Sequence, residues 1–260
     1  MMRKYIILFI TLLSFFKALG QSSIENNEII LPSPTAYSFV KNIENPTNLY
    51  NGLVDISENL FSVQSGVLKI NISLNYNTSG IKPSEIPGWV GLGFNLNAGG
   101  VISRIVKDLP DDAQNGYLRK YEEIEVQMNK AMPDDEFLKS IKAGQIDSKQ
   151  DVFIYNFNGY NGKFVFDENG SISILNGDNL KIIYDIGYRI DQFKVIDDKG
   201  VTYTFSSSEK TFFKKGEIDD FFISTWYLSK IENRNGDRIT FNYTIPGNNY
   251  RFKGSLLFRK

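Results

Sequence analysis

The sequence predicts a mainly β protein, an antiparallel β-hairpin scaffold with a short helical insertion around residues 118–144. Three observations predict it. The run Gly88–Arg104 sets Val90, Leu92, Phe94 and Leu96 against Trp89, Gly91, Gly93 and Asn95 before a glycine-rich turn. Several further segments alternate apolar and polar residues with period two, the mark of a half-buried strand. Finally, Asp or Asn stands three residues before Gly at Asp167–Gly170, Asp197–Gly200 and Asn233–Gly236, each time between strand-like runs.

Residues 1–20 read as a signal peptide. Arg3 and Lys4 precede apolar Tyr5–Phe16, and Ala18-Leu19-Gly20 supplies small residues for cleavage before Gln21. About twelve apolar residues fall short of the roughly 20 that span a bilayer, so no membrane span is expected after cleavage. The expected location is outside the cytoplasm: periplasm, cell surface or medium. Loss of Arg3, Lys4 and Lys17 takes 29 basic and 30 acidic residues to a mature net charge of about −4, which argues against nucleic acid. The chain has no cysteine, so disulfides cannot support the fold. It has no histidine either, which removes the commonest metal ligand and general base. The expectation is a non-catalytic protein with no cofactor and no metal.

Residues 21–47 form an extended lead-in, with Ser22–Ile30 flexible and Leu31-Pro32-Ser33-Pro34 held extended by its prolines. Residues 48–112 are a β-rich region. Within it, Gly66–Tyr76 alternates Leu68, Ile70, Ile72, Leu74 and Tyr76 against Val67, Lys69, Asn71, Ser73 and Asn75. The Gly88–Arg104 run then reads as strand, turn and returning strand. Gly91 and Gly93 leave one face bare for a packing partner, and Asn97-Ala98-Gly99-Gly100 tolerates the positive φ of a hairpin turn. Trp89 and Phe94 are the expected packing anchors, and valine at Gly99 or Gly100 is expected to cost folding.

Lys107–Asp112 reads as a solvated Asp/Pro turn; the competing reading, a calcium site, lacks the Asp-x-Asp-x-Asp-Gly spacing. Residues 113–150 form the helical insertion. Tyr121, Ile124, Met128 and Met132 give a helix over Leu118–Met132, with Glu122, Glu123 and Glu125 on its wet face. A second helix is capped by Asp134 or Asp135, carries Phe137, Leu138 and Ile141 on its apolar face, and stops at Gly144.

Residues 151–260 are a repeated hairpin region. Val152–Phe157 places three aromatics on one face, Asn158–Gly162 turns, and Lys163–Phe166 returns. In the Asp/Asn-x-x-Gly turns the first residue opens a type I turn, and Gly170, Gly200 and Gly236 take the left-handed position of a bulged hairpin. Rings at β spacing, such as Tyr155, Tyr160, Trp226 and Tyr227, read as core or cross-strand pairs. The competing reading is a carbohydrate-stacking platform, with Tyr160 and Tyr227 as its ligand residues.

Several stretches together resemble one family. They are Leu31–Pro34, Asn48–Gly52, Ile72–Lys82, Trp89–Gly100, Leu109–Asp112, Phe157–Phe166 and Trp226–Phe241. In this order they look like the N-terminal region of large exported RHS/YD-repeat proteins of Gram-negative bacteria. The resemblance implies a β-rich scaffold that precedes YD repeats, which coil into a shell around a variable C-terminal domain, often a toxin. Asn242-Tyr243-Thr244 stands where a full repeat would end in Tyr-Asp, and Leu256–Lys260 is reached without a repeat array. The toxic activity is therefore not carried over; a fragment and a shortened relative both fit. The expected function is an exported structural module whose partners are downstream shell segments where the gene continues. The alternative is a cell-surface adhesion module that binds glycans through exposed aromatics, and a hydrolase using paired carboxylates is the third reading.

Overall fold

The computed structural model describes residues 29–30, 55–77, 88, 90–215 and 218–243. The signal peptide, Trp89 and most of the lead-in lie outside the described residues. The strands are β1 (Ile29–Ile30), β2 (Asp55–Ser65), β3 (Leu68–Asn77), β4 (Phe94–Asn97), β5 (Gly100–Lys107), β6 (Val152–Phe157), β7 (Tyr160–Phe166), β8 (Ile172–Asn176), β9 (Lys181–Ile186), β10 (Ile190–Ile196), β11 (Thr202–Lys215), β12 (Ile218–Glu232) and β13 (Arg238–Thr240). Helices α1 (Tyr117–Met128) and α2 (Asp135–Lys142) lie between β5 and β6. The fold is mainly β, with antiparallel sheets and a short helical insertion.

One sheet runs β8-β7-β6-β5-β12-β11-β10-β9, with β1 on β5 and β13 on β12; a second runs β2-β3-β4. Alternation puts Phe153, Tyr155 and Phe157 of β6 on one face, all fully buried. The Phe193 ring of β10 lies 5.7 Å from Phe153 and 5.6 Å from Phe164. In a flat sheet β6 and β10, with β5, β12 and β11 between them, would be about 19 Å apart at a strand spacing of ~4.8 Å. The sheet therefore curls until its halves face each other across a layer of rings. Phe157 against Phe205 at 5.2 Å and Phe166 against Tyr184 at 4.9 Å extend that layer.

The helical insertion sits at one end of the curled sheet, where the β7–β8 and β9–β10 turns also lie. Arg119 Nη2 donates to the Gly187 carbonyl at 2.6 Å, and the Tyr121 ring lies 3.1 Å from where a Cβ on Gly170 would be. Tyr117, Leu118, Ile124 and Phe137 join the aromatic core, while Glu122, Glu123 and Glu125 face solvent. The helix α1 ends at Met128, short of the expected Met132, which is exposed; Pro133 disfavours helical backbone in the residue before it. On α2, Asp134 accepts from the Glu136 N–H at 3.0 Å, and Gly144 follows the helix at φ 66°. Phe137 is buried and Ile141 packs on the core, one turn apart; Leu138 is rotated away and exposed.

The glycine-rich run departs from the expected hairpin. Gly91 and Gly93 adopt φ of 106° and 78°, so Val90–Gly93 is turn and the strand begins only at Phe94. The two strands flanking Ala98-Gly99 do not pair with each other: β4 pairs with β3, whereas β5 pairs with β1, β6 and β12. The chain turns a corner and changes sheet. Phe94 is no core anchor; its ring rests on Tyr76 at 4.7 Å and stays exposed, while its neighbour Asn95 is buried. Asn97 ends β4 opposite Ser73. The close packing expected at Gly91 and Gly93 occurs instead at Gly99, under the Phe241 ring, and at Gly100, against Phe157. The lead-in, read as flexible over Ser22–Ile30, pairs Ile29 and Ile30 with Lys107 and Val106.

Candidate functional site

Where β5 meets the insertion, charged side chains gather inside the protein. Arg104 shares the core face of β5 with Ile102 and Val106 and is fully buried. A cation there needs anions in reach, because an unpaired buried charge is costly. Its Nε donates to Asp151 Oδ2 at 2.7 Å and its Nη1 to Asp112 Oδ1 at 2.9 Å, while the guanidinium stands 5.2 Å from the Phe153 ring centre. The Nη2 atom has no partner among the described residues. Asp111, Asp112, Asp147 and Asp151 are all buried, which overturns the reading of Lys107–Asp112 as a solvated turn.

Their oxygens are engaged by backbone. Asp151 accepts from the N–H groups of Lys107 at 2.8 Å and Asp111 at 3.0 Å. Asp112 Oδ2 accepts from Ile190 N–H at 2.8 Å, and Asp147 accepts from Leu109 at 3.0 Å and Lys149 at 2.8 Å. Arg189 extends the cluster: it donates to the Asp112 carbonyl at 2.9 Å and to the Phe221 carbonyl at 2.9 Å, and it pairs with Asp220. Among the described residues no group of acids is arranged to hold a metal ion.

Burial shifts these groups. It would lower the Arg104 pKa, but Asp112, Asp151 and Asp111 together raise it above the usual arginine value, so the guanidinium stays charged. Burial pushes Asp147 up to about 7 against the N–H bonds from Lys149 and Leu109. It pushes Asp151 up to about 6 against Arg104, and Asp111 well above the carboxylate range with the Asp151 charge adding to the effect. Acids with raised folded-state pKa values hold protons that the unfolded chain releases near pH 4. Their stabilisation is present below about pH 4 and is lost as pH rises through 6 to 7. Glu232 runs the other way: held down to about 2 by Lys230 and Arg238, its contribution is present above about pH 4.5 and is lost as pH falls toward 2.

The three recurrent turns share one chemistry. Asp167 Oδ1 accepts from Asn169 and Ser171, Asp197 Oδ1 from Lys199 and Val201, and Asn233 Oδ1 from Asn235 and Asp237, all within 2.8–3.0 Å. Gly170, Gly200 and Gly236 donate back to the first residue's carbonyl at φ of 69°, 78° and 88°. Each turn is thus fastened by its own side chain.

The rings considered for a platform are occupied. Tyr155 and Trp226 are buried, the Trp226 indole donating to the Ile190 carbonyl at 3.1 Å. Tyr160 and Tyr203 both donate to Asp197 Oδ2 at 3.3 Å, and Tyr227 donates to Glu209 at 3.1 Å with its ring 5.3 Å from Tyr243. The open rings lie elsewhere, on the part of the β11–β12 ribbon that outruns its neighbours and on the β9–β10 turn beside it. Phe212 is 75% exposed and Tyr188 69%, and Phe221 lies between them at 6.1 and 6.0 Å. Lys210 Nζ is 4.9 Å from the Phe221 ring centre. Alternation on β11 placed Phe212 opposite buried Phe213, a signal the sequence carried. Comparison with family models, curated proteins and solved structures gives no significant match for this chain.

Proposed function

We propose that the chain is an exported, non-catalytic structural module of the kind that precedes the repeats of RHS/YD-repeat shell proteins. The observation that carries this reading is the way the main sheet grows. Strands adjacent in sequence pair as hairpins from β6 to β8 and from β9 to β13, and three of the turns carry the same side-chain fastening. A sheet built this way is extended by further hairpins without altering those in place. The buried aspartates fit the same role, since their oxygens bind backbone N–H groups and a guanidinium inside the core. Mass spectrometry of fractionated producer cells is the test. The expected product is in the envelope or medium, begins at Gln21, and continues into Tyr-Asp hairpins where the reading frame runs past Lys260. A cytoplasmic product that retains Met1 would sink the export reading.

A second reading, a glycan-binding adhesion module, is favoured by the open rings of Tyr188 and Phe212, because flat exposed rings stack on sugars. On this reading, Phe212→Ala and Tyr188→Ala abolish glycan-array binding while Tyr227→Phe leaves it unchanged. Binding that survives both alanine changes would dispose of it.

A further inference from the structure

We infer that the helical insertion is a proton-latched cap on the end of the curled sheet: protonated Asp111 holds its stem closed, and ionisation of Asp111 loosens α1 and α2 while the sheet persists. The two ends of the insertion are cross-tied at this residue. Asp111 N–H donates to Asp151 Oδ2 at 3.0 Å, and Asp151 N–H donates back to Asp111 Oδ1 at 3.0 Å and Oδ2 at 3.2 Å. The Asp111 carbonyl accepts from Leu118 N–H at 2.9 Å in the first turn of α1, and Asp147 N–H donates to the Asn115 carbonyl at 2.9 Å. The path from stem to helix is therefore short and hydrogen-bonded throughout.

Asp111 is singled out by its donors. Asp112 has a guanidinium N–H and a backbone N–H, Asp151 has a guanidinium N–H and two backbone N–H groups, and Asp147 has two backbone N–H groups. Asp111 has one backbone N–H shared between both oxygens, and no cation bonded to it. One guanidinium faces three fully buried carboxylates, so a proton is needed, and the oxygen with an unclaimed lone pair is where it fits. The charged and titratable groups that bear on Asp111 are Asp151 and Asp147 from the α2–β6 loop, Arg104 from β5 and Tyr117 from α1, with Asp112 next to it in sequence and held through its carbonyl by Arg189 of the β9–β10 turn. Lys149 pairs with Asp108 at 2.8 Å on the outer rim, so the nearby lysine is already engaged. Charge on Asp111 adds to that of Asp151 across the stem, in the direction that parts the two ends.

Hydrogen exchange of the full chain at pH 5.5 and 8.5, corrected for the intrinsic rate, tests the latch. The expected result is a tenfold or greater loss of protection in peptides over 117–142 at pH 8.5, with peptides over 152–166 and 190–205 unchanged. Asp111→Asn, neutral at every pH and still able to accept from Asp151, should keep the insertion protected at both values. Equal protection of 117–142 at the two pH values overturns the inference, as does loss shared equally by the sheet, or an Asp111→Asn chain that opens like the parent. Should that variant fail to fold, infrared spectroscopy of an Asp147→Asn chain, which lacks the other acid pushed up to about 7, decides: a buried protonated carboxyl band at pH 5.5 that disappears together with the protection supports the latch, and its absence overturns it.

Discussion

Replacement of Arg104 by methionine lowers the stability of the folded chain by about 3–5 kcal/mol, measured as a shift in urea midpoint at pH 7. The side chain is fully buried, and its two charge-assisted hydrogen bonds reach Asp112 and Asp151, which are buried as well. Methionine fills much of the space but leaves two carboxylates without their cation. They must then ionise unpaired or take up protons, and either choice costs free energy. Lysine keeps the charge but not the fork that bonds two separate carboxylates, so Arg104→Lys falls between parent and methionine. Neutralising Asp112 and Asp151 in the Arg104→Met background recovers part of the loss, because the main penalty is the unpaired charge. A shift of less than about 1 kcal/mol for Arg104→Met would mean that the cluster is not what fastens the insertion to β5.

Gly100→Ala destabilises the chain by about 3 kcal/mol, while Gly236→Ala costs about 1 kcal/mol. Both glycines have positive φ, 153° and 88°, so both substitutions force an L residue into sparsely allowed backbone. They differ in what a new Cβ meets. At Gly236 there is open space; at Gly100 the atom would lie 2.9 Å from Phe157 Cα and 3.0 Å from the Asn156 carbonyl oxygen, and closer still to Phe157 Cβ. Those are backbone atoms of the neighbouring strand, and a side-chain rotation cannot make room. Paired denaturation curves read the difference directly. Equal midpoints for the two variants would show that β5 can move away from β6 at little cost.

Most of the local structure was legible in the sequence. The alternation of Phe153, Tyr155 and Phe157 marked β6, Asp134 and Gly144 bounded α2, and the Asp/Asn-x-x-Gly pattern marked three turns, because caps and turns depend on residues a few positions apart. The corner at Ala98-Gly99 was not legible. A turn between two strands reads as a hairpin, and whether the strands then pair with each other is decided by remote partners, here β3 for one and β12 for the other. The charged cluster was missed for a related reason. Asp111 and Asp112 next to Pro110 have the composition of a wet turn, and only Arg104, placed on a core-facing position between Ile102 and Val106, hinted that anions must be buried nearby. Tyr160 and Tyr227 were visible as aromatics, but their hydrogen bonds to Asp197 and Glu209 depend on strand pairing that single-sequence periodicity does not encode.

The place of β5 in the sheet has a kinetic consequence. On one side the sheet grows by local hairpins from β6 to β8, and on the other from β9 to β12; β5 meets β12 only through Val101–Tyr227, Ile102–Trp226 and Ser103–Thr225. Residues of those pairs are far apart along the chain, so the entropy of closing that loop must be met before the contacts stabilise anything. Two hairpin stacks can form early and independently, so the step that brings them together at Trp226 is expected to be the slow one, checked by stopped-flow refolding of a Trp226→Phe chain. Until then the aromatic faces of both stacks are open to water and to one another, which makes the half-assembled chain the species most prone to aggregate.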